Sequence, residues 1–261
     1  MPERVQQKPN PFEKLKELMQ VLREECPWDK KQTLASLRRF TIEETHELLD
    51  AIEQADLHND WQALKNELGD LLLHIAFYAR LAEEAGTFTL DDVVDGLVEK
   101  MIHRHPHVFG DAEHDHAQWE RLKADEHPER RSVLDGIPSL PALAMSRKLQ
   151  QRAARVGFDW PNNEGVLEKL HEEIQELQQA CAKGDRQDME QELGDILFAL
   201  VNWARKEDLD AELALMASNR KFIRRFRLME RMARENEQNL SALDLEELER
   251  YYRQAKQALD E

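Results

Sequence analysis

The chain repeats itself, and that repetition limits its fold more than any other feature of the sequence. Residues 67–80 read ELGDLLLHIAFYAR and residues 192–205 read ELGDILFALVNWAR, half of the fourteen positions being identical at an offset of 125. Upstream, EETHE at 43–47 answers EEIQE at 172–176; downstream, KMIHRH at 100–105 answers KFIRRF at 221–226. The three blocks keep their order, and each gap shortens by four residues in the second copy. Single matches arise by chance, but three in order mark two copies of one unit.

That unit is helical. Leu193, Ile196, Leu197, Leu200 and Val201 fall on one face at the 3.6-residue period, which predicts an apolar helix face turned to a core. With only 9 Gly and 9 Pro and 34% charged residues, the chain favours long helices over a sheet. The expected fold class is all-α, two tandem four-helix modules. In the first, helices are expected near 11–25, 33–56, 60–86 and 90–104. In the second they are expected near 140–155, 163–183, 186–207 and 210–236, followed by a last helix at 243–259. Residues 106–118 are polar and irregular, a short helix is expected from Trp119 to Arg131, and SVLDGIPSLPAL at 132–143 is punctuated by Pro. The boundary is therefore placed between domains 1–131 and 132–261.

The 53 acidic and 36 basic residues leave a net charge of −17, a surface that repels nucleic-acid backbones. Cys26 and Cys181 form neither a disulfide framework nor a zinc-spaced set. No apolar stretch is long enough to span a bilayer and no export signal opens the chain, so no membrane partner and a cytoplasmic location are expected. Five of the ten histidines lie between His103 and His116, which reads as an irregular connection rather than a zinc site. Trp28 and Trp160 begin comparable places in the two units and read as core anchors rather than platforms for a base.

Residues three apart on a helix lie on nearly the same face. Glu173 and Glu176 form such a pair, Glu192 and Asp195 another, and the first copy supplies Glu44, Glu47, Glu67 and Asp70. Taken singly, each pair would be an ordinary solvated face. Three features argue otherwise: the ExxD pairs open the most apolar helices, a Gly sits inside each (Gly69, Gly194), and the arrangement occurs twice. Gly costs ~1 kcal/mol against Ala in a helix interior, which is reasonable where a neighbour or ligand comes close. If the two helices pack antiparallel, four carboxylates meet, and repulsion of roughly 4 kcal/mol per pair at ~4 Å and an effective dielectric of ~20 calls for a cation. All-oxygen donors suit Mg²⁺ or Mn²⁺ rather than zinc. A di-iron bundle needs two Glu-x-x-His helices; Glu43/His46 and Glu168/His171 have the spacing but occupy non-equivalent places in the repeats. Cations for a phosphate ligand are at hand in Lys169, one turn before Glu173, and in Lys221, Arg224 and Arg225 on a later helix. There is no Walker loop.

EExxE followed by ExxD and a downstream Lys/Arg helix resembles the MazG family of all-α nucleotide pyrophosphohydrolases. CPWDKKQT, RHPHVFG and VGFDW resemble its two-domain bacterial members, so the likeness covers essentially the whole chain. The resemblance implies Mg²⁺-dependent hydrolysis of nucleoside triphosphates to monophosphates and pyrophosphate, by a homodimer of four-helix modules. It implies Glu173, Glu176, Glu192 and Asp195 as metal ligands and as the catalytic set. Lys169, Lys221, Arg224 and Arg225 would meet the triphosphate, and Tyr252 the base. Glu172, turned ~100° from Glu173, stands on the substrate side, where it can orient a water. Two other functions remain open on the residues: a non-catalytic helical scaffold for a regulatory protein, and a relative preferring deoxyuridine triphosphate.

The copies are not equivalent. Where Lys169 precedes Glu173 by four residues, Phe40 precedes Glu44. Asn219 answers to Val98, and Arg224 and Arg225 answer to His103 and Arg104. A histidine is a cation only when protonated. The second unit is therefore expected to do most of the hydrolysis, and Glu44, Glu47, Glu67 and Asp70 to be a second, weakly productive set.

Overall fold

Side-chain caps set where the helices of this computed structural model begin; it describes residues 2–110 and 131–259. Thr33 and Ser36 form a capping box, the Ser36 N–H donating to Thr33 Oγ1 at 3.2 Å and the Thr33 N–H to Ser36 Oγ at 2.9 Å. Thr89 and Asp92 repeat the device one hairpin later, at 3.3 and 2.7 Å. Asp60, Asn162, Asp185 and Asp210 each accept backbone N–H groups of a first helical turn that have no partner within the helix.

There are eleven α-helices and no strand among the described residues. The first unit holds α1 (Pro2–Gln6), α2 (Pro11–Glu25), α3 (Leu34–His58), α4 (Trp61–Glu84), α5 (Leu90–Arg104) and α6 (Pro106–Phe109). The second holds α7 (Ala142–Arg155), α8 (Asn163–Lys183), α9 (Arg186–Lys206), α10 (Ala211–Glu235) and α11 (Leu245–Leu259). The nine long helices follow the sequence expectation to within a few residues; the short α1 and α6 were not foreseen. Two compact units divide at His127/Pro128, a few residues before the expected boundary. The helix expected from Trp119 to Arg131 and most of the His103–His116 stretch lie outside the described residues.

Each unit is built on a helical hairpin. Asn59, at φ 58°, ends α3, and two residues turn the chain into α4. Gly184, at φ 73°, does the same between α8 and α9. Both positions need the left-handed conformation that Gly and Asn adopt most readily. In the first unit α2 packs across α4, around Met19, Leu37, Ala76, Phe77 and Leu90. In the second, α7 lies against α9, and small residues let α8 and α9 approach: Ala180, Ala199 and Ala204 are buried with Val166 and Val201. A separate core of Met229, Ala233, Tyr251 and Ala255 ties α10 to α11.

Two expectations about burial are corrected. On α9 only Val201 of the apolar stripe is fully buried, while Leu193, Leu197 and Leu200 stay 51%, 47% and 47% exposed. The hairpin seam is lined by the smaller residues, so the larger leucines face outward. Trp28 and Trp160 are not core anchors either, at 52% and 45% exposed.

Candidate metal and substrate site

The hairpin geometry decides which carboxylates meet. In the second unit Glu173 of α8 faces Glu192 and Asp195 of α9, with one carboxylate oxygen from each lying within 4.8 Å of the others. In the first unit Glu44 of α3 meets Glu67 and Asp70 of α4 in the same way. The expected fourth acid of each set stands beside these trios. Glu176 and Glu47 sit three residues on, about 60° round the helix from their partners, and fall outside the two trios. They still act through charge, Glu176 on Glu192 and Glu47 on Glu44.

Crowding is visible in the electrostatics. The Glu192 carboxyl titrates above the usual range because of partial burial, then the charges of Glu176 and Glu173, a hydrogen bond with Glu173, and Asp195. Glu44 is raised by partial burial, then by Glu47, Asp70, Glu67 and Glu43. A raised carboxyl favours the folded state in its protonated form. Its contribution to stability is fully present below the ordinary Glu value and is lost as pH rises through the raised one. Glu192→Gln cannot ionise, so in EDTA it should melt above the parent at about pH 7, the gap closing towards about pH 4. Melting curves at the two pH values test this, and a gap independent of pH would contradict it.

The trio of oxygens, with no sulfur or imidazole among them, fits a hard divalent cation. Glu173 is the most enclosed of the three, only 5% exposed, and Lys169 closes over it at 2.8 Å while reaching Glu172 at 3.2 Å. These two acids push the Lys169 ammonium above its ordinary value, the Glu173 contact foremost, so it stays charged at every physiological pH. Beside them opens a cleft of about 690 Å³, to which Lys169, Glu173 and Asp195 contribute.

Lys221, Arg224 and Arg225 lie on α10, Lys221 and Arg224 exposed and Arg225 half-buried. They are not among the residues lining that cleft. Tyr252 on α11 is half-buried, its ring 5.8 Å from that of Phe222. Among the described residues, no atom beyond the glycine's own stretch of helix comes within 4 Å of where a Cβ would sit at Gly69 or Gly194, so no described neighbouring element requires either glycine. Gln150, Phe198, Asn202 and Arg205 also line the cleft, and no motif in the sequence marks them. Phe158 and Trp160, also on its wall, lie in the VGFDW segment already noted.

In the first unit the place of Lys169 is taken by Phe40, which packs on the core and meets Trp28 edge-on at 5.9 Å. The Arg39 guanidinium lies 4.4 Å over its ring.

Residues 32–109 and 162–227 match the MazG nucleotide pyrophosphohydrolase domain, one segment in each unit. The chain is 44% identical over 250 residues to the nucleoside triphosphate pyrophosphohydrolase/pyrophosphatase MazG of Thermotoga maritima, a match covering 94% of this chain and 95% of that one. It is 42% identical over 260 residues to the nucleoside triphosphate pyrophosphohydrolase of Escherichia coli strain K12, covering 95% of this chain and 97% of that protein. A nucleoside triphosphate pyrophosphohydrolase of Mycobacterium tuberculosis is 44% identical over 148 residues, 54% of this chain and 44% of its own. No helix among the described residues is long and apolar enough to cross a membrane.

Proposed function

The chain belongs to the MazG nucleotide pyrophosphohydrolase family, and from that premise we propose that it hydrolyses nucleoside triphosphates to monophosphates and pyrophosphate with Mg²⁺. The observation that carries this reading is the carboxylate trio Glu173, Glu192 and Asp195 with Lys169 beside it, at the mouth of a cleft of nucleotide size. With Glu176 these acids would hold the ion. When bound, Mg²⁺ supplies concentrated positive charge against phosphate oxygens.

The chain's own residues do the rest. Water attacks the α-phosphorus, the bond to the α–β bridging oxygen breaks, and the electron pair leaves with pyrophosphate. Lys169 is permanently charged and held between Glu172 and Glu173, so it is positioned against the phosphate chain without waiting for a proton. Glu172 is exposed beside it and can orient the attacking water. Lys221, Arg224 and Arg225 of α10 stand outside the cleft lining, and it is the family likeness that supports giving them the charge of the leaving pyrophosphate. Domains 1–131 and 132–261 are taken as the working units, the second carrying the reaction.

The test is a panel of nucleoside triphosphates incubated with Mg²⁺ and with EDTA. Monophosphate and pyrophosphate should appear in the first and not in the second. Diphosphate and orthophosphate instead would place cleavage at the wrong bond.

Assembly as a homodimer belongs to the same proposal. Leu193, Leu197 and Leu200 on α9, and Leu68, Leu72 and Ile75 on α4, leave apolar stripes in water that a second copy would cover. Light scattering should report twice the 30.6 kDa chain mass. A fully active monomer would remove the dimer from the reading.

A further inference from the structure

Glu173, Glu192 and Asp195 meet some way from the tip of their hairpin. At the tip, Gly184 and Asp185 tie α8 to α9 through the chain itself. Glu173 lies eleven residues back from Gly184, about 16 Å along the helix, and α8 runs ten residues further to its first residue. Three like charges near the middle push the two helices apart. α7 braces α9 from outside the hairpin, Gln150 donating its Nε2 to the Phe198 carbonyl at 2.8 Å while its Oε1 has no partner among the described residues. α8 packs chiefly on α9. What holds the open end of the hairpin therefore decides whether the trio stays assembled.

That end is tied by a partly buried ion cluster. Asp159, in the connection leading into α8, accepts from Arg205 Nη2 at 2.5 Å and from Lys206 Nζ at 3.2 Å. Lys206 Nζ also donates to the Trp160 carbonyl at 2.6 Å. The Arg205 and Lys206 side chains are only 12% and 13% exposed, so salt and water screen these contacts less than a surface pair. Arg205 is aimed by Asn202, whose Oδ1 accepts from its Nε at 3.0 Å and its Nη2 at 2.8 Å. The Trp160 ring lies so close over Gly165, in the first turn of α8, that a Cβ there would come within 2.6 Å of it. Each Asp159 oxygen is thus engaged by a cation, and the residue acts through the helix it holds.

The first unit closes its hairpin at the same end with other residues. Arg23 of α2 holds Glu84, the last residue of α4, through Nε at 3.0 Å and Nη2 at 2.7 Å. Its Nη1 donates to the carbonyls of Asp29 and Gln32, in the turn leading into α3, the latter at 3.2 Å. Arg80, which answers to Arg205 in the repeat, pairs with Glu83 and Glu84 of its own helix instead. Different side chains thus make one join in both copies: the segment before the first hairpin helix is fixed to the end of the second.

We propose that Asp159 is a positioning residue: by tying the connection before α8 to Arg205 and Lys206, it closes the hairpin and keeps Glu173 opposite Glu192 and Asp195. The assignment rests on the reading of that trio as the metal site and deepens it. Glu173 is midway along α8, so opening the far end by about 2 Å carries it roughly 1 Å from its partners. Mg²⁺ demands near-ideal geometry at about 2.0–2.1 Å, and such a shift weakens its binding.

The experiment measures Mn²⁺ binding to the nucleotide-free, full-length chain by electron paramagnetic resonance. Glu44→Gln is present throughout, so that the second trio dominates the reading. Asp159→Asn should raise the Mn²⁺ Kd about ten-fold, and Asp159→Glu, which restores a carboxylate for both cations, should return it to within about three-fold. The Mg²⁺ concentration giving half the maximal rate should rise in step, with kcat at saturating Mg²⁺ changed by less than about two-fold. Amide hydrogen exchange on the metal-free protein should quicken in Asp159→Asn at 163–168 and 203–206 and stay unchanged around the tip at 184. Lys206→Met removes one cation and leaves Arg205 in place, so it carries the test if Asp159→Asn proves unstable. Mn²⁺ binding that is the same in Glu173→Gln as in the parent removes the metal reading, and exchange then decides the closure by itself. A lower melting temperature with unchanged Mn²⁺ affinity would make Asp159 a structural residue only and overturn the proposal, as would unchanged exchange at the open end.

Discussion

Replacing Glu173 by Gln, or Asp195 by Asn, should lower pyrophosphate release by on the order of 100-fold or more while helical circular dichroism persists. The two changes keep side-chain size and remove one negative charge each from a trio whose oxygens lie within 4.8 Å. Gln is the right probe at 173 because the position is nearly buried and Lys169 sits on it. An amide oxygen leaves that ammonium an acceptor, and Glu172 at 3.2 Å leaves it a counter-charge. Ala would instead confound lost ligation with a cavity and an unpaired cation. Turnover close to that of the parent in both variants would remove the metal site from α8 and α9.

The matching substitution in the other unit should do little. Glu44→Gln in the full-length chain is expected to keep the rate within about two-fold of the parent, since its unit has Phe40 in the place of Lys169 and His103 in the place of Arg224, two fewer permanent cations for phosphate charge. Glu44, Glu67 and Asp70 also lie within 4.8 Å of one another, so the gathering of acids alone does not separate the units. The neighbouring side chain does. Lys169 lies on the second trio at 2.8 Å, whereas the equivalent Phe40 is committed to the first unit's core. Steady-state rates of Glu44→Gln and Glu173→Gln side by side decide the matter. A comparable loss in both would show that the two units work together.

Much of this was legible in the sequence because it is local. Helix limits follow from caps such as Thr33, Asp60 and Asn162 and from left-handed stops at Asn59 and Gly184, interactions that reach no further than one turn of chain. The acids were found because helix geometry puts residues three apart on one side, and because the pattern recurs at a nearly constant offset. The likeness to the family rests on the same short blocks.

Local patterns in the chain therefore carry the all-helical class, the twofold repeat, the helix limits and the pairing of acidic residues on two successive helices. The tertiary structure alone decided which acids touch, which apolar side chains are covered, and where the cleft lies. Glu173 enters the trio and Glu176 flanks it because the seam between α8 and α9 selects one side of a helix within a single turn. Leu193, Leu197 and Leu200 match the core pattern yet stay exposed, because periodicity marks an apolar face without saying what covers it. Gln150 carries no motif; its unpaired Oε1 exists only because α7 packs across α9 and lays the amide on the Phe198 carbonyl. Such placements depend on contacts between segments far apart in the chain, and no local preference records them.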